Sequence, residues 1–511
     1  MLTEADLPDD IDALKALVIA SKAHGARQDE RIAELEKLVK AFKQALFGSK
    51  SEKVDPDQFQ LALEDLETAI AVVHAADEAA PSPIERKRKK CRSANRGALP
   101  KHLPRIEEVI EPDNLVCSCG GELHCIGEDV TERHDVIPAQ FRVIVTRRPK
   151  YACRFCTDGV AQAKAPARLI EGGMPTEDLV AHIVVRKYAD HLPLYRQAQI
   201  YSRQGIDLDR STLGDWVGRA AFELRPVFDA LVTDLKQSGK LFMDEPRAPV
   251  LDPGKRKTKT GYFWALARDD RSWDGNGPPG VAFTYAPGRS GKYAEQILQG
   301  FSGILQVDGY AGYNRLLKRA SQDIRLAYYW AHARRKLVEI TRTGNAPIAQ
   351  EGINRIVKLY GIEKEIKGMD ADDRRTVRQG KSAPLIAELE IWVEQRRARV
   401  SAKSPLGEAL AYVAKFWDGL CLFLTEGRIE MDNNSVERTI RPIALNRKNA
   451  LLAGHDAGAT NWATIASLIE TCKLNDVDPH TWMTSTLKAI VNGHKQSDID
   501  ELLPWNFLRN V

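Results

Sequence analysis

The stretch "KLFMDEP" (residues 240–246) decides how the chain is read. An apolar run closes on an acid, Asp244, and the texture then repeats: "GYFWALARDD" (261–270) and "GVAFTYAPG" (280–288) follow with turns between them. Aromatic and branched residues bounded by Gly, Pro and Asp predict three successive strands. A short helix near "KYAEQILQGF" (292–301) leads to a fourth strand, "GILQVDGY" (303–310), then a helix, then a strand-like "IRLAYYWAH" (324–332). Asp244 lies in the first strand and Asp308 ends the fourth. In a mixed sheet where those strands are neighbours, the two acids meet at one edge, and carboxylates so gathered hold the paired Mg²⁺ of phosphoryl transfer. A loop-facing acid at a strand end is the plain alternative.

A third acid would come from a later helix, among Glu426, Glu430, Asp432 and Glu437. Glu437 stands among Arg438, Arg441, Arg447 and Lys448 in "RIEMDNNSVERTIRPIALNRKNALLAGH" (428–455). Its plain reading is local: Asn434 and Glu437 have capping-box spacing, and Glu437 with Arg441 is an i,i+4 pair. The sharper reading makes it a metal ligand beside cations that hold a polyanion.

Outward from this region the chain is mostly helical. Residues 335–425 carry amphipathic spacing, as in "PLIAELEIWVEQ" (384–395), and "NWATIASLIETCKL" (461–474) predicts a helix near the end. Residues 176–236 read as helical throughout. Within them, one helix, a turn at Gly205 and a second helix capped by Ser211 make a helix-turn-helix pattern, which serves DNA binding or plain packing.

Upstream, Cys117-x-Cys119 and Cys153-x-x-Cys156 flank a β-like stretch. Two such knuckles are a usual way to supply four thiolates to structural Zn²⁺, with His124 and Cys125 near enough to substitute. Cys91, Cys421 and Cys472 have no sequence partners and read as ordinary thiols. The run containing Arg86, Lys87, Arg88, Lys89 and Lys90 is either a solvated linker or a phosphate-neutralising arm. Residues 9–47 step apolar positions by three or four, giving a helix that either zips to a second copy or packs on its own domain.

The whole composition fits a globular protein: 511 residues, 43% apolar and 28% charged, long enough for three or four domains. No apolar run approaches a membrane span, and the acidic start "MLTEADLPDD" is not a signal peptide, so a cytoplasmic protein is expected. A net charge of +4 is mild, so nucleic-acid affinity must come from local clusters.

Five stretches together make the chain recognisable: "GEDVTERHDVIPAQFRVIVTRRPKYACRFC", "KYADHLPLYRQAQIYSRQGIDLDRSTLGDWVGRAA", "GILQVDGYAGYN", "WAHARRK" and the 428–455 stretch. The chain resembles the large transposase of the bacterial insertion sequence 66 family over nearly its full length. The resemblance implies a multidomain α/β protein with a ribonuclease-H-like catalytic core and a helical insertion. An N-terminal helix, a small zinc-binding module and a helical DNA-binding region would precede that core. It also implies an Asp-Asp-Glu site of Asp244, Asp308 and Glu437 using Mg²⁺ or Mn²⁺.

The expected parts are 1–50 (N-terminal helix), 51–110 (linker with basic run), 111–170 (zinc module with Cys117, Cys119, Cys153 and Cys156) and 171–238 (helical). Then come 239–335 (core, first part), 336–425 (helical insertion), 426–475 (core, last part) and 476–511 (tail). Two positions depart from the family pattern: Pro246 stands where Thr is usual, and Tyr329 where Cys is common. Pro246 predicts that the first strand stops there or lies at an edge.

The expected function is transposition: binding the element's inverted repeats, cutting the DNA, and joining the freed 3′-hydroxyl to a target. The work calls for at least a dimer, and companion proteins of the same element are candidate partners. The rivals are a non-catalytic DNA-binding repressor derived from a transposase, and a metal-dependent nuclease with no joining activity.

Overall fold

A computed structural model describes residues 10–12, 15, 140–152, 160–170, 173–252, 257–318, 323–342, 344–450, 453 and 455–507. The chain forms two units, Met1–Val145 and Thr146–Val511. In the first, Ile11, Asp12 and Lys15 are helical and residues 140–145 irregular. Nearly all of the N-terminal helix reading lies outside the described residues. So do the basic run Arg86–Lys90 and the cysteines 117, 119, 153 and 156.

The second unit opens with a two-stranded antiparallel ribbon, β1 (Lys150–Ala152) and β2 (Val160–Gln162). Four helices follow: α1 (Glu177–Tyr188), α2 (Leu194–Arg203), α3 (Arg210–Glu223) and α4 (Arg225–Lys236). The α2–α3 turn uses Gly205 at φ +79°, a conformation costly for any side chain. The cap of α3 is Asp209 rather than the expected Ser211. Its carboxylate accepts from the Ser211 N–H at 2.7 Å and from the Ser211 hydroxyl at 2.6 Å, a stronger arrangement than a lone serine offers.

The central sheet contains β3 (Lys240–Asp244), β4 (Arg247–Asp252), β5 (Lys257–Arg268), β6 (Gly280–Ala286), β7 (Gly303–Val307) and β8 (Ile324–Tyr328). β3 and then β4 run along the same long strand β5, both antiparallel to it. Pro246 sits between them and its carbonyl accepts from the Phe263 N–H at 2.9 Å. The proline therefore ends β3 as expected, but the chain resumes as a strand one residue later. β6 closes the other side of β5 antiparallel, while β7 and β8 continue outward from β3 in parallel. Leu241, Phe242, Phe263, Trp264, Phe283, Ile304 and Leu305 are buried and form the core of the sheet.

Between β6 and β7 lies α5 (Gly291–Ile297), and between β7 and β8 the expected helix is a 3₁₀ segment, Ala311–Lys318. A helical block follows the last strand: α6 (Trp330–Arg342), α7 (Pro347–Glu365), α8 (Ala371–Val377), α9 (Ala383–Arg397), α10 (Pro405–Lys415) and α11 (Trp417–Cys421). The chain returns through α12 (Asn434–Ala450), α13 (Asp456–Leu474), α14 (Pro479–Val491) and α15 (Pro504–Phe507). No helix among the described residues is long and apolar enough to cross a membrane. Cys472 is buried in α13, and Cys421 is half-buried at the end of α11 with its thiol pushed up to about 12 by burial.

Helix α13 covers the open edge of β6. The Phe283 N–H donates to Ser467 Oγ at 2.7 Å, and Thr471 Oγ1 both accepts from the Val281 N–H and donates to its carbonyl, each at 3.1 Å. Ser467 and Thr471 are four residues apart, so they share one helix face and match alternate residues of the strand.

Two buried polar side chains of the sheet hold the segment that leads into α12. The Lys240 ammonium lies 4.2 Å over the Phe242 ring, donates to the Arg428 carbonyl at 3.1 Å and pairs with Glu430 at 3.5 Å. The Gln306 amide grips the Glu430 backbone from both sides, donating at 2.8 Å and accepting at 3.0 Å. Residues 428–433 are thereby fastened along β3 and β7, and α12 starts near the C-terminal ends of those strands.

Candidate active site at the ends of β3 and β7

Parallel neighbours deliver their C-terminal ends to the same edge of a sheet. Phe242 is opposite Gln306 in the β3–β7 register, and two residues further along Asp244 comes level with Asp308. The two predicted acids are thus brought together by backbone pairing alone.

Asp244 is half-buried, and its Oδ1 accepts from the Glu245 N–H at 2.7 Å. Burial pushes its carboxyl up to about 7, and repulsion from Glu245, Asp308 and Glu437 adds to the shift. Asp308 Oδ1 accepts from the Tyr310 N–H at 2.9 Å, and its Oδ2 lies 3.7 Å from Arg289. Gly309 is required beside it, because a Cβ there would come within 2.7 Å of the Tyr412 ring.

Glu437 projects from the first turn of α12. The cap of that helix is Asn433, one residue before the expected Asn434: its carbonyl accepts from the Glu437 N–H at 2.9 Å. Its side-chain amide donates to Glu437 Oε1 at 2.7 Å and lies 3.3 Å from His332 Nε2. Glu437 also pairs with Arg335 of α6 at 3.3 Å.

The other acids of this region have local partners. Glu426 takes both Arg428 nitrogens at 2.7 and 2.8 Å. Glu430 accepts from Ser272 at 2.8 Å besides pairing with Lys240. Asp432 accepts from the Asn434 N–H at 3.1 Å. Among the four, Glu437 is the one whose charge raises Asp244.

Four residues of the site, Glu245, Arg289, Tyr310 and Tyr313, escaped the sequence reading. Glu245 is fully buried and accepts from Arg289 Nε at 2.8 Å and from the Tyr313 hydroxyl. Arg289 stacks at 4.0 Å on the Tyr310 ring, and the Tyr310 hydroxyl donates back to the Arg289 carbonyl. The acidic pair "DE" at a strand end was visible in sequence, but nothing in linear spacing pointed 44 residues ahead to Arg289 or 68 ahead to Tyr313. His332 sits beside the cluster, and burial lowers its pKa, with Arg335 adding to the effect.

Of the predicted phosphate-binding cations, Arg438, Arg441 and Lys448 are exposed along α12, and Arg447 lies in the same helix. Arg438 Nε also donates to the Asn434 carbonyl at 3.2 Å.

Among the described residues no three His, Cys, Asp or Glu side chains already converge into a metal cage. The predicted ligands at the strand ends, Asp244, Asp308 and Glu437, are all carboxylates, which suits Mg²⁺ or Mn²⁺ better than softer metals. Burial first, and the neighbouring carboxylates after it, hold the Asp244 carboxyl well above the usual carboxylate range. The residues therefore fit hard divalent cations in chemistry, and the Glu245 N–H, the Tyr310 N–H and the Asn433 amide orient their side chains.

Comparison with known proteins adds an independent line. The profile described as "Transposase IS66 family" matches residues 172–461, and the "IS66 C-terminal element" matches 467–505. The "zinc-finger binding domain of transposase IS66" matches 114–157, and "Transposase C of IS166 homeodomain" matches 34–107. Similar full-length proteins occur in Sinorhizobium fredii. "Uncharacterized protein y4qI" is 43% identical over 544 residues, covering 99% of each chain. "Uncharacterized protein y4jD" is 41% identical over 512, covering 99% of this chain and 98% of its own. "Uncharacterized protein y4hP" is 36% identical over 496, covering 94% and 89%. A match across more than half the chain, set on a sheet edge lined with carboxylates, makes the assignment: the chain belongs to the IS66 family of transposases.

Proposed function

We propose that the protein is a DNA transposase that binds the terminal inverted repeats of its own insertion sequence, cuts the DNA there and transfers the strand to a target. The observation that carries the reading is the β3–β7 register, which puts Asp244 level with Asp308 while Glu437 bears on the same carboxylate. Three antiparallel strands continued by two parallel ones, with the first acid ending the central strand, support a ribonuclease-H-like core. Helices α6 to α11 would be its insertion between the second and third acids.

In this reading Asp244, Asp308 and Glu437 hold Mg²⁺ or Mn²⁺. The chemistry gained on binding is activation of the attacking oxygen and stabilisation of the leaving one in an in-line displacement. The chain's own residues set up that step. Asn433 orients the Glu437 carboxylate, the Tyr310 N–H orients Asp308, and Arg289 with Tyr313 fixes Glu245 behind Asp244. Arg438, Arg441, Arg447 and Lys448 bind the phosphates of the strand being cut. The 3′-hydroxyl released by hydrolysis then attacks a target phosphodiester, forming one P–O bond as another breaks, so no covalent enzyme intermediate is needed.

Cys117, Cys119, Cys153 and Cys156 would hold structural Zn²⁺, a reading supported by the zinc-finger match over 114–157. Arg86 to Lys90 fall within the homeodomain match, which supports a DNA-binding arm. Joining two ends calls for at least a dimer, with companion proteins of the element as further partners.

The test uses labelled element-end duplex with Mn²⁺ or Mg²⁺ and the companion proteins supplied. Asp308→Ala and Glu437→Ala should bind like wild type and lose cutting by roughly a thousand-fold or more. Retained cutting by Glu437→Ala would remove that residue from the site.

A further inference from the structure

Helix α6 begins two residues after β8, at the same sheet edge as the acids. Its first turns read Trp330-Ala-His-Ala-Arg-Arg-Lys, and no carboxylate appears before Glu339. Ala333 and Leu337 are buried and fix the rotation of the helix, which leaves Arg334, Arg335 and Lys336 all exposed.

The three cations fan around the site. Lys336 lies 4.8 Å over the Tyr412 ring, and that ring abuts Gly309, the residue after Asp308. Arg335 reaches Glu437 at 3.3 Å. Arg334 acts on Tyr360, whose hydroxyl lies 3.5 Å from the Met431 carbonyl in the segment entering α12. Three adjacent cations repel one another, and their exposed contacts within the fold are too weak to account for aligning them at one edge, whereas a polyanion lying there would.

We propose that Arg334, Arg335 and Lys336 form a second phosphate-binding wall, gripping the DNA backbone from the α6 side of the strand ends while the α12 cations grip it from the other. The inference rests on the transposase reading, because the DNA is that of the same site. The Arg335–Glu437 pair does not oppose it. Those side chains are 58% and 44% exposed, so the pair is worth about 0–1 kcal/mol. A phosphate, which accepts a guanidinium fork, displaces the carboxylate readily.

The experiment measures full-length protein binding a fluorescent element-end duplex in EDTA, where cutting does not intervene, across a range of salt. Each phosphate contact contributes about 0.9 to the slope of log affinity against log salt. The triple variant Arg334→Gln/Arg335→Gln/Lys336→Gln should flatten that slope by about two to three and weaken binding at least ten-fold at roughly 150 mM salt. A second triple, Lys358→Gln/Lys364→Gln/Lys367→Gln, removes three exposed cations of the insertion elsewhere and should leave the slope within about one of wild type. Thermal melting of both triples separates misfolding from lost contacts.

Equal slopes for the α6 triple and wild type, or equal losses in both triples, would overturn the wall. The Asp244→Asn/Asp308→Asn protein serves as the reference for binding without chemistry. If wild type binds and cuts but the α6 triple binds unchanged, the wall alone fails. If wild type, with the companion proteins and Mn²⁺ supplied, neither binds nor cuts duplex, the transposase reading fails and the wall with it.

Discussion

Two charge clusters of this molecule, one buried and one opening to the surface, make opposite use of the same residue types. In the helical block, Arg378 is fully buried and gives Glu363 a two-pronged fork at 2.8 and 2.7 Å. Its remaining donors reach the carbonyls of Phe423, Gly427 and Ile429 at 3.0, 3.2 and 2.8 Å. Arg374 adds a second guanidinium, 3.4 Å from the same carboxylate. The guanidinium nitrogens there have acceptors except the buried Arg374 Nε, so the cluster is closed but for one N–H. At the strand ends, Asp244, Glu245, Asp308 and Glu437 face Arg289 and Arg335, and Asp244 is driven up to about 7. A closed cluster holds the fold together, whereas one with surplus like charge is arranged for something that binds.

The sharpest way to break that comparison is Arg378→Met. It leaves the Glu363 carboxylate buried without its fork and releases the turn before residue 430, so a loss of about 3–5 kcal/mol is expected in urea unfolding. A loss below about 1 kcal/mol would mean the cluster is not holding the fold.

Asp244→Asn should act in the opposite direction. A carboxyl at about 7 in the fold, against an ordinary 3.8, binds its proton more tightly folded than unfolded. Stability from this group is therefore fully present below about pH 4 and is lost as pH rises through about 7. Asparagine keeps the hydrogen bond from the Glu245 N–H and removes that loss. The metal-free variant should gain roughly 2–4 kcal/mol at pH 8 and nothing at pH 4. Mg²⁺ should raise the melting temperature of wild type at pH 8 and leave the variant's nearly unmoved. Destabilisation of the variant at pH 8 would show that the acid is already compensated.

Glu437→Gln sharpens the comparison from its weak end. The side chain is 44% exposed and its Arg335 pair is a surface pair, so stability should change by less than about 1 kcal/mol. A larger loss would place Glu437 with the residues that hold the fold.

Much of this was legible in sequence, for identifiable reasons. Strand texture around Asp244 and Asp308 is strong because β3 and β7 are buried, and their apolar runs end where the chain emerges at the acids. The α2–α3 turn was legible through Gly205. β4 was not, because Pro246 reads as a stop. The proline interrupts pairing for two residues only, and Arg247–Asp252 then resumes along β5. The caps moved by one or two residues, from Ser211 to Asp209 and from Asn434 to Asn433, since each stretch offers several polar residues and geometry chooses among them. Glu245, Arg289 and Tyr313 were beyond reach, because their meeting depends on how three loops close over one sheet edge.

The hydroxyls of Ser467 and Thr471 on the β6 edge bear on the fate of damaged copies. A chain cut short before residue 456 would lose all of α13. Val281 and Phe283 would then present bare N–H groups beside buried apolar faces, a template for pairing with any passing strand. Such fragments should precipitate or be degraded before they can occupy the element's ends as repressors. Silencing by a shortened relative would then have to come from pieces that end before β3 and so carry none of this sheet.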